Sequence, residues 1–375
     1  MTSNPVQDLP APRSLVLRMD ITNSCNLDCV GCTLADNRKI FNEPAGSMDV
    51  DLFQKITREV FPYLKEVALS CEAEPTMHPR FIQIMKIIGA TTERNAVLPV
   101  RMTTNATLFT REKLDAVFDS GLFGLSISID GDTAQTFAAL RKNGDIVNVF
   151  ESIDEILRRK AALGRGALDS PRLQINYTLM KSNIHELIPL IERARTWQLE
   201  SLTVTHVYSI GTKDMRHEFL ADTPDESDRV LIEAEKLCRE YGIIARFPIL
   251  FNRGVQPPAP ATTVKNGFWS GLVSRFRRPE PELACAAPWN MLKIRWNGEV
   301  QPCDLWYTLG PFGSLKSQSF EEIWRSEKYT ELRYGLFSGN PTFEHCRKCD
   351  QISQDNLEKR TLKSAMTHTS VPGGQ

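Results

Sequence analysis

Three cysteines, Cys25, Cys29 and Cys32, fall within eight residues of this chain, in the stretch Cys-Asn-Leu-Asp-Cys-Val-Gly-Cys. This spacing lets three thiolates face one small centre. A closed tetrahedral zinc site, or an ordinary four-cysteine iron–sulfur site, needs a fourth ligand. No further cysteine or histidine lies close by, and the next cysteine is Cys71. A cubane held by three thiolates would leave one iron open to an external molecule. The competing reading is three buried or zinc-bound cysteines. Free cysteines, however, behave as single small hydrophobes and rarely come as a fixed triplet.

A second set is Cys285, Cys303, Cys346 and Cys349. Cys346-Arg347-Lys348-Cys349 is a tight pair. Cys285 and Cys303 flank Trp296-Asn297-Gly298-Glu299, which reads as a hairpin turn between 291–295 and 300–301. Four cysteines with no vacancy make a closed site, and zinc and a fully ligated [4Fe–4S] cluster fit that count equally. Cys238 sits on the apolar side of a helix expected over 225–241 and belongs to the core.

The elements that must position these groups follow from periodicity. Apolar runs at 14–21, 66–70, 98–104, 172–179 and 201–207, and the alternating run at 124–131, read as strands. Amphipathic helices are expected at 51–64, 80–89, 111–120, 147–163 and 183–197. Ser47 or Asp49 caps the first of them. Six alternations of strand and helix imply parallel sheet units. In a parallel barrel, chemistry gathers at the C-terminal ends of the strands. Cys25–Cys32, Glu74, Asn105, Ser128, Asn176 to Lys181 and His206 all fall near such ends. Ser126, Ser128 and Asp130 share one face, because strand side chains repeat every two residues. His206 either faces the substrate or is an ordinary core histidine. Cys71 is either a buried small residue or a thiol beside the active centre.

At 375 residues there is room for two domains and a large core. A net charge of −1 argues against a nucleic-acid-binding surface spread over the whole protein. No apolar run has the length of a membrane span, and the first 20 residues lack a signal-peptide core. A cytoplasmic location is therefore expected, where nine cysteines are explained by metal ligation rather than disulfides. Residues 1–13 read as a loose arm with no independent domain before the first strand. Residues 251–284, bracketed by prolines and basic and aromatic in the middle, read as a linker or lid.

The segment Asp20 through Cys32 resembles the signature of the radical S-adenosylmethionine (SAM) superfamily. The resemblance implies that the open iron of a [4Fe–4S] cluster binds the amine and carboxylate of SAM. An electron then cleaves SAM to a 5′-deoxyadenosyl radical. The residue before the third cysteine, often aromatic in that family, is Gly31 here. Glu72-Ala73-Glu74-Pro75 resembles the family's Gly-Gly-Glu-Pro element, with both glycines replaced. Asn105-Ala106-Thr107 resembles its Thr-Asn-Gly turn. Arg141-Lys142-Asn143-Gly144 resembles its Arg-x-x-Gly loop. Glu74, Asn105, Ser128, Asp130 and Arg141 are thereby implied as SAM contacts, Arg141 as a partner of the SAM carboxylate. Cys71 is implied as a hydrogen-atom donor, as free thiols are in some radical epimerases.

Cys285, Gly298 and Cys303 are spaced like the opening of the SPASM/Twitch auxiliary-cluster domain, and the four cysteines match the shorter Twitch form. This implies a second [4Fe–4S] cluster rather than zinc. The resemblances cover roughly residues 14–350. The expected fold is α/β: a partial (β/α)6 TIM-like barrel over 14–250, the linker or lid, a small α+β Twitch-like domain over 285–350, and a tail over 351–375.

The implied activity is that of a radical SAM oxidoreductase. It would oxidise a carbinol of a sugar, cyclitol or similar small metabolite, with the auxiliary cluster accepting an electron. A flavodoxin or ferredoxin type of donor would supply the first cluster. Two alternatives stand beside it. One is a peptide-modifying enzyme that makes thioether, carbon–carbon or epimerised products. The other is a non-catalytic iron–sulfur scaffold, suggested by Gly31 and by Glu72-Ala73.

Overall fold

The computed structural model describes residues 14–32, 43–69, 72–94, 98–207, 214–252, 285–306 and 309–349. The expected arm at 1–13, the tail at 351–375, Cys71 and all but two residues of the linker or lid at 251–284 lie outside the described residues.

In chain order the first half comprises β1 (Leu15–Met19), β2 (Asp28–Cys29), α1 (Val50–Glu59), β3 (Leu64–Leu69), α2 (Phe81–Arg94), β4 (Val100–Thr104), α3 (Arg111–Asp119) and β5 (Gly124–Ser128). Then come α4 (Ala134–Leu140), β6 (Arg141–Lys142), α5 (Ile146–Ala162), β7 (Arg172–Leu179), α6 (Leu187–Ala194), β8 (Ser201–His206), α7 (Pro224–Glu240) and β9 (Ile244–Arg246). The C-terminal part holds α8 (Ala287–Asn290), β10 (Met291–Ile294), β11 (Glu299–Gln301), β12 (Gly313–Ser314), α9 (Phe320–Trp324), α10 (Glu327–Phe337) and α11 (Glu344–Arg347).

The six expected strands are present as β1, β3, β4, β5, β7 and β8, adjacent in that order and parallel. The sheet is open, as a partial barrel requires. Its helix side is dry. Leu15, Leu17 and Met19 of β1 pack in one core with Leu52, Phe53 and Ile56 of α1. Each such side chain, fully buried, contributes about 1.5–3 kcal/mol. Asp49, not Ser47, caps α1, its Oδ1 accepting from the Asp51 N–H at 2.8 Å. Among the described residues no helix is long and apolar enough to cross a membrane.

Two features were not expected. β9 adds a seventh parallel strand beside β8. More consequentially, the C-terminal hairpin is not set apart from the barrel. β10 pairs in parallel with the outer edge of β1, and β11 and β12 continue antiparallel from it. The expected turn is there, with Gly298 at φ +82, a conformation glycine adopts freely. Side chains stitch this part down. Lys55 Nζ donates to Leu315 O and Gln318 O at 2.8 Å each, and Glu59 accepts from the Phe320 N–H at 2.9 Å. Gly46 lies against the Trp296 ring, where a Cβ would come within 2.2 Å of a ring carbon.

The opposite side of the sheet is polar. One register row runs Gln301, Lys293, Arg18, Ala68, Arg101, Gly124, Arg172. Arg101 and Arg172 hold Glu200 at 2.9 and 3.0 Å, and both guanidiniums stack on Phe123, 4.7 and 4.4 Å from its centroid. Burial alone would raise the Glu200 carboxyl, but hydrogen bonds from the two arginines outweigh it and hold it below the usual range. A lowered folded pKa adds stability above the unfolded value and loses it as pH falls through the folded one. Glu200→Gln is therefore expected to melt earlier than wild type near neutral pH. The gap should close in acid well below about pH 4.3, the ordinary glutamate pKa. Thermal melts at the two pH values check this. A gap that persists in acid would mean that the charge is not the cause.

Candidate active site

The loop from Cys25 to Cys32 leaves β1 and is clamped at its start. Met48 donates its N–H to Ile21 O at 2.7 Å, Thr22 Oγ1 donates to Gly46 O at 2.7 Å, and Asn23 Nδ2 donates to Pro44 O at 3.0 Å. The far side is held by β2 and β6, which pair Asp28 with Lys142 and Cys29 with Arg141. Val30 N–H donates to Leu140 O at 2.9 Å. This two-residue pairing had no sequence signal. It docks the cysteine loop onto the Arg141 loop.

A cavity of about 380 Å³ opens at the C-terminal ends of the strands. Cys25, Cys29 and Cys32 line it, together with Glu74, Asn105, Ser128, Asp130, Arg141 and His206. All the expected site residues among the described ones, apart from the four C-terminal cysteines, thus meet in one space. A larger groove of about 840 Å³ lies between α3 and α5, away from the cysteines. It carries none of the chemistry.

The cysteines are suited to a cluster. All three are half-buried and none is in a disulfide. Burial pushes the Cys29 thiol up to about 12 and raises Cys25 as well, and both sulfurs feel Cys32. Such thiols shed their protons to a metal that replaces the lost solvation. Two donors face the sulfurs. Asn105 Nδ2 lies 3.9 Å from Cys25 Sγ, and Arg141 Nη1 lies 4.0 Å from Cys29 Sγ. The second set behaves alike. Burial raises Cys303 to about 12 and Cys346 to about 11, with Cys285 acting on both and Cys349 on Cys346. These four are the residues that would hold a closed group.

The strand-end residues are tightly specified. Glu74 is buried, and its carboxylate accepts four hydrogen bonds, from Thr76 N–H, Thr76 Oγ1, Thr104 Oγ1 and Asn105 N–H, at 3.1, 2.6, 2.8 and 2.7 Å. Burial pushes its carboxyl up against these donors. Oε1 accepts three of these and Oε2 one, so Glu74 braces the end of β3 to the end of β4 while lining the cavity. Ala106 takes φ +58, where the resembling turn has glycine. That left-handed conformation costs an L-residue about 1–2 kcal/mol. Asn105 Oδ1 accepts from Thr107 N–H and Oγ1 at 3.0 and 2.7 Å, which aims its amide at the cysteine loop. Asp130 is held by Thr178 N–H at 2.7 Å and pairs with Arg141 at 2.7 Å. His206 shares a strand face with Leu202 and Val204. Its ring stacks on Phe251 with centroids 5.0 Å apart, and its buried Nε2 has no hydrogen-bond partner. Burial lowers its pKa.

Two departures from the family pattern have structural counterparts. Beside Gly31, a Cβ would meet Val207 Cγ2 at 3.6 Å and Met215 Cε at 3.9 Å. These side chains, with Leu140 and Met180, form a small apolar cluster of their own. Glu72 pairs with the buried Lys293 of β10, and Asp20 Oδ1 accepts its N–H at 2.9 Å. Asp20, Val207 and Met215 were not anticipated. Only the position of Asp20 at the end of the first strand could have suggested it.

A family model described as the radical SAM superfamily matches residues 19–194, and one described as an iron–sulfur cluster-binding domain, SPASM, matches residues 285–350. The chain is 25% identical over 365 residues to a tungsten-containing aldehyde ferredoxin oxidoreductase cofactor-modifying protein of Pyrococcus furiosus, covering 92% of this chain and 90% of that one. It is 24% identical to a PqqA peptide cyclase of Methylorubrum extorquens, over 94% of this chain and 81% of the relative. Among solved structures, SuiB of Streptococcus suis bound to its precursor peptide SuiA superposes with a TM-score of 0.64 at 14% identity. That match covers 91% of this chain and 70% of SuiB. The last likeness concerns the fold alone.

Proposed function

The chain belongs to the radical SAM superfamily and carries its SPASM iron–sulfur domain, and on that premise we propose that its substrate is a peptide, modified at an unactivated carbon. The observation that carries this reading is the likeness to a peptide cyclase over 94% of the chain, which takes in both cysteine sets. The cavity agrees in chemistry. Thr103, Ser128, Thr178 and Thr205 line it with hydroxyls that both donate and accept. A peptide backbone presents both kinds of partner. The relatives support this better than oxidation of a sugar or cyclitol, the substrate class expected from the four-cysteine set.

In this reading Cys25, Cys29 and Cys32 hold the SAM-binding cluster, and Cys285, Cys303, Cys346 and Cys349 hold the auxiliary one. When bound, the first cluster and SAM supply hydrogen-abstracting radical chemistry. Asn105 orients the cysteine loop. Ser128 and Arg141 line the SAM side, Asp130 fixes Arg141, and His206 lines the same cavity. A flavodoxin or ferredoxin type of protein serves as the electron donor.

The test is anaerobic reconstitution, reduction with dithionite, and addition of SAM with either of two panels. One panel is short synthetic peptides deuterated on carbon; the other is deuterated sugars and cyclitols. Deuterium appearing in 5′-deoxyadenosine from peptides alone is the expected result. Transfer from sugars alone would overturn the peptide reading and restore carbinol oxidation.

A further inference from the structure

The pairing of β2 with β6 places Arg141 directly opposite Cys29. Its guanidinium is nearly buried, with one nitrogen 4.0 Å from Cys29 Sγ and another 2.7 Å from Asp130 Oδ2. Asp130 cannot swing away, because its other oxygen accepts the Thr178 N–H at 2.7 Å. Apolar Leu140 and Met180 lie close by, also lining the cavity. A cation fixed beside a ligand sulfur in such surroundings acts strongly, since little water screens it.

We propose that the Arg141–Asp130 pair sets the reduction potential of the cluster at Cys25, Cys29 and Cys32. Reduction adds one electron to the cluster, taken from dithionite in the test below. The guanidinium and its N–H···S contact stabilise that added charge, and Asp130 tempers the effect. The function differs from binding SAM, because it operates when SAM is absent. It rests on the presence of a cluster at these cysteines.

The experiment is a dithionite titration followed by electron paramagnetic resonance, on the full-length reconstituted protein without SAM. The relevant signal is identified as the one lost when Cys25, Cys29 and Cys32 are replaced. At a potential that half-reduces the wild type, Arg141→Gln should lower the ratio of reduced to oxidised cluster by at least about tenfold, about 59 mV for a one-electron couple. Arg141→Lys, which keeps the charge, should shift less. Asp130→Asn should shift the midpoint the other way. Unchanged midpoints in loaded Arg141→Gln would overturn the proposal. If that variant does not load iron, Asp130→Asn decides alone, and a midpoint equal to wild type or lower overturns it. A wild type without iron would instead sink the family reading of the site.

Discussion

Replacing Cys25, Cys29 and Cys32 together by alanine should cut the iron content of the reconstituted protein from about eight to about four per chain, as expected for two four-iron clusters. SAM cleavage under reduction should disappear with it. The reasoning is geometric. The three sulfurs line the one cavity that also gathers Asn105, Ser128, Asp130 and Arg141, and the loop bearing them is pinned on both sides. Asn105 and Arg141 face the sulfurs as donors, not as metal ligands. The remaining iron should sit on Cys285, Cys303, Cys346 and Cys349. Iron and sulfide quantification with Mössbauer spectroscopy makes the measurement. About four irons in wild type, with zinc at the second set, would remove the auxiliary cluster. Equal iron in wild type and variant would show that the first set binds none.

The second large effect should come from Glu74, through stability. Glu74→Ala leaves the Thr76 and Asn105 N–H groups without their acceptor. Each orphaned buried donor costs about 1–3 kcal/mol, so a loss of about 2–6 kcal/mol is expected. Glu74→Gln is the sharper probe. It keeps the shape, but one side-chain oxygen becomes an NH2 group. On either flip of the amide, a donor then faces the N–H of Thr76 or of Asn105. Denaturant midpoints should fall for both variants, and iron loading should weaken, since Asn105 loses its anchor beside Cys25. Wild-type stability in Glu74→Gln would mean that the carboxyl is free to do something other than brace the strands.

Much of the site was legible because strand ends and two-residue alternation are local properties. They place Asn105, Ser128 and Asp130 without knowledge of the rest, whereas Arg141 came from the family resemblance of its loop. The cysteine sets were legible from spacing alone. What escaped depends on distant partners. Nothing in Met291–Ile294 says that it will lie beside Leu15–Met19, because a short apolar strand carries no address for its neighbour. The link from Lys55 to Leu315 spans 260 residues. Two-residue strands such as Asp28–Cys29 have no periodicity to read. The inward turn of Glu74 is set by hydroxyls on a neighbouring strand, and the wall beside Gly31 by residues far along the chain. Cys71 lies outside the described residues.

The pairing of β10 with β1 also governs how the protein comes into being. β1 is synthesised first among the strands and finds β3 early. Its other edge waits until Met291–Ile294 has left the ribosome. During that interval the edge of β1 presents an open row of backbone donors and acceptors. Unpaired edges of this kind invite association with other chains. Truncated forms ending before the hairpin are therefore poor material for study, and early chaperone capture should raise the yield of soluble full-length protein. The C-terminal segment thus does two jobs, carrying four cysteines and completing the barrel's last open seam on that side.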